Sequence, residues 1–299
     1  MKNGILVIDK QPGMTSFGVI ARLRSLTGVR KIGHGGTLDP MATGVLPVFF
    51  GAATKAQDLC CDKRKRYTAT ALLGTSSDTA DITGNILERQ IVNCTKQQLL
   101  LAIAGFVGKS SQLPPMYSAI KVDGRRLYTL ARKGDEIERK PRDIEVYSIN
   151  TLVIDLEENT MTLDILCSSG TYIRTLCEDI AKGAGTIACL SALRRTASGC
   201  FSIEEALTLD QVEQSITEGR LEQQIIPVSR LFSDLPEVVL DENLARLFTG
   251  GTPFEEQRID TVPQAGERAS VWHSGQLLGL GCIENGYFKK IFHYPAENA

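Results

Sequence analysis

The chain has 299 residues, 42% of them apolar and 23% charged, with a formal net charge of −2. That length can bury a sizeable core, and one large domain followed by a small one is expected. No apolar run approaches the ~20 residues that span a bilayer, which excludes a helical membrane protein. The N-terminus enters an apolar segment, Gly4 to Ile8, with no signal-peptide cleavage site behind it, so a cytoplasmic location is expected. Eight cysteines show no C-x-x-C pair and should be reduced and mostly buried. The three histidines, His34, His273 and His293, lack H-x-x-x-H spacing, so neither zinc nor another metal is expected.

The charge is unevenly spread. Residues 1–142 hold 22 Lys+Arg against 11 Asp+Glu, a balance of +11. Residues 143–231 hold 6 against 14 (−8) and residues 232–299 hold 5 against 10 (−5). A basic first half on an acidic remainder suits a face built for a polyanion, although runs such as Lys63-Arg64-Lys65-Arg66 can also be plain solvated surface.

Residues 4–8 read as an apolar strand, and Thr15 or Ser16 can cap a helix over 17–26, with Val19, Ile20, Leu23 and Leu26 on one face. The glycines and prolines of residues 33–47 predict irregular backbone there. A buried strand (45–50), a short helix (52–59), a β-rich strand (67–74) and a polar loop (75–84) follow. Thr95 opens a helix, residues 117–122 read as a strand, and 125–133 as a basic helix ending at Gly134. Residues 144–156 and 160–167 alternate as an antiparallel pair, then come a helix from Thr171 to about 184 and a strand over 187–198. Helical stretches around 209–216 and 221–226 precede Pro227. After residue 232 the chain turns into short β-like segments, with one helix near 240–248 closed by Gly250-Gly251.

The glycine-rich stretch is the centre of interest. Asp39, held by the proline after it, is either a turn residue bonding its own backbone or a carboxylate presented for chemistry. Aromatic residues interleaved with Lys and Arg between 105 and 134 suit RNA, whose bases stack and whose phosphates need charge.

Residues 4–16, 33–55, 65–84, 112–132, 170–179 and 193–201, in that order and spacing, resemble one family: the tRNA pseudouridine synthases of the bacterial B type, which act on uridine 55 of the T loop. The resemblance covers nearly all of residues 1–230. It implies an α/β (α+β) fold with a mixed, largely antiparallel central sheet and flanking helices. It also implies an isomerisation that needs no cofactor or metal, with tRNA, through its T stem-loop, as the partner of a monomeric enzyme. Asp39, in Gly36-Thr37-Leu38-Asp39, stands where the family has its catalytic carboxylate. Such a group can attack C1′ or C6, remove the 2′ proton, or stabilise an oxocarbenium-like ribose. Arg174 matches the family's partner for that acid, and Tyr67 the tyrosine that stacks on the target uracil. Tyr172 is implied as a substrate contact and Leu193 as pocket wall. His34 matches the residue that fills the gap left by a flipped base. Asp81 matches an acid that contacts RNA or orders its loop. Gly35 departs from the pattern, since many relatives carry Thr there. The tail resembles a PUA module, a small RNA-binding β-barrel, on Gly250-Gly251, Trp272 and residues 275–281. The expected division is 1–230 catalytic and 231–299 PUA-like, the latter touching the acceptor end of tRNA.

Two other readings use the same residues. A tRNA-binding chaperone would need the basic half and His34 but not Asp39, Arg174 and Tyr67 together. A nucleotide-binding enzyme is disfavoured, because neither G-x-x-x-x-G-K-[ST] nor a strand-linked G-x-G-x-x-G is present.

Overall fold

A computed structural model describes residues 3–118, 121–122, 125–126 and 137–295 of the chain. Strand β1 (Gly4–Lys10) is almost continuously apolar because both its faces are covered. Leu6 and Ile8 enter the main core with Val19, Ile20 and Leu23 of helix α1 (Ser16–Thr27). Ile5 and Val7 point the other way. Thr15 caps α1 by accepting from the Gly18 N–H, and Gly28 ends it in the left-handed conformation.

The expectation of irregular backbone across 33–47 needs correction at both ends. Gly33 and His34 belong to β2 (Ile32–His34), and Thr43 onward to β3 (Thr43–Phe50). Both strands form because β3 pairs with β1 from Gly44 to Phe50 and with β2 from Val48 to Phe50. The irregular part is residues 35–42. A single 3-10 segment (Gly51–Ala56) replaces the expected helix over 52–59.

Strand β4 (Lys65–Leu73) is followed by a two-stranded ribbon, β5 (Thr75–Ser77) and β6 (Ile86–Arg89), where a loop was expected. A capping box at Thr95 and Gln98 starts helix α2 (Lys96–Gly105), and β7 (Gly108–Gln112) runs to the sheet edge. Lys121–Val122 (β8) and Arg125–Arg126 (β9) pair as a short ribbon, so the expected basic helix does not start at Arg125. The rest of that helix, 127–134, lies outside the described residues, as do residues 119–120 of the expected strand.

Strands β10 (Arg142–Asp155) and β11 (Thr160–Cys167) form the expected antiparallel pair. Helix α3 (Ile173–Gly183), β12 (Ala188–Ser198), β13 (Phe201–Ser202) and helix α4 (Leu209–Thr217) complete this part. The nine-stranded sheet runs β1-β3-β12-β4-β11-β10-β7, with β2 and β13 at its side. It is mixed and largely antiparallel. Its one parallel seam is short: Arg194 beside Thr43 and Arg195 beside Gly44. The 35–42 loop enters the sheet there.

A second sheet, ordered β14-β16-β17-β18-β15, comprises β14 (Glu237–Val239), β15 (Phe254–Glu255), β16 (Arg268–His273), β17 (Gln276–Glu284) and β18 (Tyr287–His293). Helix α5 (Glu242–Gly250), capped by Asp241 and ended by left-handed Gly251, covers it around Phe248, Phe254 and Phe288. The tail packs against the first sheet. Leu277, Leu280 and Tyr294 share a core with Ile5, Val7 and Phe49 of the first sheet and with Leu231 and Phe232. No helix among the described residues is long and apolar enough to cross a membrane. All eight cysteines are free and most are buried, as expected; Cys60 and Cys200 are partly exposed and Cys61 is exposed.

Candidate active site

The 35–42 loop has little side-chain bulk of its own, so it is shaped from outside. The buried Ser16 hydroxyl takes the Leu38 N–H at 2.9 Å and donates to the Leu38 carbonyl at 3.2 Å. Lys10, at the end of β1, donates to the carbonyls of Gln11, Met14 and Pro40. Arg195, with no exposed surface, donates Nε to the Val45 carbonyl at 2.7 Å, Nη2 to Gly36 at 3.1 Å and Nη1 to Thr37 at 3.4 Å. Gly44 is required at the seam: its φ is +97°, and a Cβ there would lie 2.2 Å from the Arg195 carbonyl oxygen. Three elements distant in sequence therefore grip the backbone on both sides of Asp39.

The acid meets its partner from across the sheet. Arg174 Nε lies 3.0 Å from Asp39 Oδ2. Arg174 is buried, and its other nitrogens donate to the carbonyls of Thr79 at 2.7 Å and Tyr117 at 2.8 Å. Its position is set by the first turn of α3, where the buried Gln112 side chain accepts from the Tyr172 N–H at 2.8 Å and donates to its carbonyl at 3.1 Å. The guanidinium has thus little freedom to leave. Burial pushes the Asp39 carboxyl above its ordinary range; Arg174 opposes that rise, Asp81 adds to it, and Lys10 opposes it. About a third of the Asp39 side chain stays open. It faces a cleft of about 380 Å3.

Five of the seven residues singled out in the sequence line that one cleft: Asp39, Tyr67, Tyr172, Arg174 and Leu193. Tyr67 projects from β4 opposite Arg195 and is almost wholly buried. Burial raises its hydroxyl pKa, so it holds its proton at neutral pH. The other two stand outside the lining. His34 closes β2, half-buried, and its Nδ1 has no hydrogen-bond partner. Burial, Arg195 and Lys65 lower its pKa, which leaves a neutral imidazole. Asp81 is buried behind Arg174, 3.8 Å from Nη1, and accepts from the Thr83 N–H and the hydroxyls of Thr79 and Thr83. Of the two roles open to Asp81, this placement suits loop ordering.

Sequence reading missed the supports. Lys10 and Gln112 carry no local sign of the role they play, and Arg195 falls within the expected strand over 187–198. One signal was present: in a strand, residues two apart share a face, so Arg195 shares the face of Leu193 and Lys65 that of Tyr67. Among the described residues no group of three or more His, Cys, Asp and Glu is placed to hold a metal ion.

The fold and site thus combine a mixed sheet, a second small β-sheet behind it and an aspartate held by an arginine in an open cleft. Residues 24–173 match the TruB family pseudouridylate synthase N-terminal domain, and residues 174–233 the tRNA pseudouridylate synthase B C-terminal domain. The chain is 37% identical over 285 residues to the tRNA pseudouridine synthase B of Alkaliphilus oremlandii, covering 95% of this chain and 94% of that one. It is 39% identical over 290 residues to that of Clostridium perfringens strain 13, covering 96% and 97%. Among solved structures, one titled "Crystal Structure of a Cbf5-Nop10-Gar1 Complex" matches at TM-score 0.75 and 24% identity, over 99% of this chain and 86% of that chain. Another, an H/ACA RNP bound to a substrate RNA containing 2'-deoxyuridine, matches at TM-score 0.74 and 22% identity with the same coverage. Both share the fold. The chain belongs to the TruB family of pseudouridine synthases.

Proposed function

We propose that this chain is an isomerase that converts uridine to pseudouridine at position 55, in the T loop of tRNA. The observation that carries the reading is the Asp39–Arg174 pair at 3.0 Å, facing a cleft that Tyr67, Tyr172 and Leu193 complete. The N1–C1′ bond breaks, the uracil turns, and C5 bonds to C1′; C5 gives up its proton and N1 receives one. No net oxidation occurs, so the isomerisation as proposed needs no redox cofactor. Asp39 acts at the ribose or the base as the catalytic group. Arg174 keeps it ionised against the cost of burial and aims it, because a guanidinium stays charged and its other donors are tied to backbone. Tyr67 stacks on the extruded uracil, and its protonated hydroxyl is available beside C5. Tyr172 and Leu193 form the rest of the wall, and neutral His34 stacks where the flipped base left a gap.

The division proposed is a catalytic unit of residues 1–230 and a PUA-like unit of residues 231–299 that contacts the acceptor end. Acting on tRNA as a monomer, the enzyme works in the cytoplasm. The test is incubation with unmodified tRNA and mapping of pseudouridine by position. Wild type should mark position 55 alone in the T loop, whereas Asp39→Asn should bind tRNA with similar affinity and yield none. An Asp39→Asn protein that refolds tRNA but never modifies it would show a chaperone activity alongside catalysis. Wild type that refolds tRNA and makes no pseudouridine would replace the enzyme reading by the chaperone one.

A further inference from the structure

Two cavities meet at Lys65. The Asp39 cleft lies on one side, and a second cavity of about 230 Å3 lies on the other, lined in part by Gly35, Gly36, Phe49 and Ser198. Lys65 and Ser169 line both. Lys65 opens β4 on the face that carries Tyr67, and its Nζ stands over the glycine pair, only 2.9 Å from where a Cβ on Gly36 would be.

Most cations around the cleft are already committed. Arg174 holds Asp39 and two carbonyls, Arg195 three carbonyls, and Lys10 three more. Arg142, on the rim, is exposed and keeps its water. The Lys65 backbone is paired in the sheet and its carbonyl accepts from the Cys167 thiol, but its ammonium has no hydrogen bond or ion pair among the described residues. Burial, with Arg195 beside it, pulls its ammonium down to about 8, against the opposing pull of Cys167. Asp58 and Asp62 also line the second cavity, yet neither pairs with Lys65; a half-buried cation with a second cation as neighbour and no ion pair among the described residues is costly unless an anion arrives.

The geometry says which anion. A strand whose base occupies the Asp39 cleft must carry a phosphate to its next nucleotide, and the second cavity is the adjoining space. Lysine serves as a point-charge ligand for phosphate, and the two glycines leave the approach unobstructed. We infer that Lys65 Nζ binds the backbone phosphate of the RNA strand where it passes from the target nucleotide in the Asp39 cleft toward the Gly35–Gly36 cavity. This rests on the RNA-substrate reading above.

The test pairs a protein change with an RNA change. Binding of a T stem-loop RNA is measured against salt for wild type, Lys65→Met and Lys65→Arg. The same RNA is then used with a neutral methylphosphonate at each of the two phosphates flanking the target uridine. Lys65→Met should raise Kd about tenfold and flatten the slope of log Kd against log salt by about one contact's share, near 0.7–0.9, while Lys65→Arg keeps both close to wild type. One of the two methylphosphonates should weaken wild type by a similar factor and Lys65→Met by little more, a non-additive pair. An unchanged Kd and slope in Lys65→Met, or full additivity at both flanking phosphates, would overturn the inference. The methylphosphonate series on wild type decides the matter even if the Met variant folds poorly. Pseudouridine formation by wild type is followed in parallel. Its absence would remove the isomerase reading, while Kd and slope would still judge Lys65.

Discussion

Two Arg–Asp pairs sit on either side of the central sheet, and they behave in opposite ways. On the outer face, Arg66 of β4 grips Asp164 of β11 with two parallel bonds, Nε at 2.8 Å and Nη2 at 2.6 Å. Half of the Arg66 side chain is in water. Hydrogen bonds from Arg66 hold the Asp164 carboxyl below its ordinary range. In the cleft, Arg174 gives Asp39 a single bond, and there burial outweighs the partner and pushes the carboxyl up. Asp164, its side chain only 13% exposed, has two bonds from its arginine; Asp39, a third of its side chain open, has one, and it is the acid with chemistry to do. A structural ion pair satisfies its carboxylate, whereas the cleft leaves part of the Asp39 side chain unspent and open to a substrate.

The largest expected break of this contrast is Arg174→Met. It strands Asp39 and the two carbonyls, should cost about 3–5 kcal/mol in denaturant unfolding, and should lower the pseudouridine rate by at least ~100-fold. Arg174→Lys keeps the charge but not the fork, so it should recover much of the stability and little of the rate. A Lys variant at full rate would show that charge alone suffices.

Acid titration separates the pairs next. If ionised Asp39 is the catalyst, the rate should fall about tenfold per pH unit below a midpoint that lies above 3.8. The stability contributions have opposite signs. Folded Asp39 keeps a proton that the unfolded chain has released, so its contribution grows as pH falls through its raised pKa. Asp164 contributes above the unfolded carboxylate pKa, and that contribution fades as pH falls through its lowered folded value. A rate midpoint at or below 3.8 would place the essential ionisation elsewhere.

A smaller effect is expected from Gln112→Ala, which releases both backbone groups of Tyr172 at the start of α3. Unfolding should become easier by about 1–3 kcal/mol, with a rate loss that exceeds any loss of tRNA affinity. The smallest is the coupling of Arg66 and Asp164. A double-alanine cycle on this half-exposed pair should give about 1 kcal/mol or less, weakening with salt. A coupling comparable to the Arg174 effect would erase the distinction between the two faces.

Much of the framework is local and therefore readable. The cap at Thr15, the capping box at Thr95 and Gln98, and the alternation of 160–167 state their own structure within a few residues. Errors fell where tertiary pairing decides. Residues 33–34 and 43–44 look like loop because glycine dominates them, yet pairing of β3 with β2 and with β1 carries them into the sheet. Residues 75–77 are polar, yet they find a partner in 86–89. The packing of Leu277, Leu280 and Tyr294 of the tail on the far face of β1 is likewise stated by no local pattern.

By itself the chain determined which side chains were available for chemistry: a carboxylate between glycine and proline, an arginine at a helix start, a tyrosine on a strand, and their order along residues 1–230. Only the tertiary structure decided that Arg174 meets Asp39, that Lys10 and Arg195 turn inward to hold backbone, and that Lys65 stands between two cavities with no ion pair among the described residues. The reason is physical. Caps and alternation depend on neighbours a few residues away, while the state of a charge depends on what lies within a few ångströms, and folding brings those groups from far along the chain.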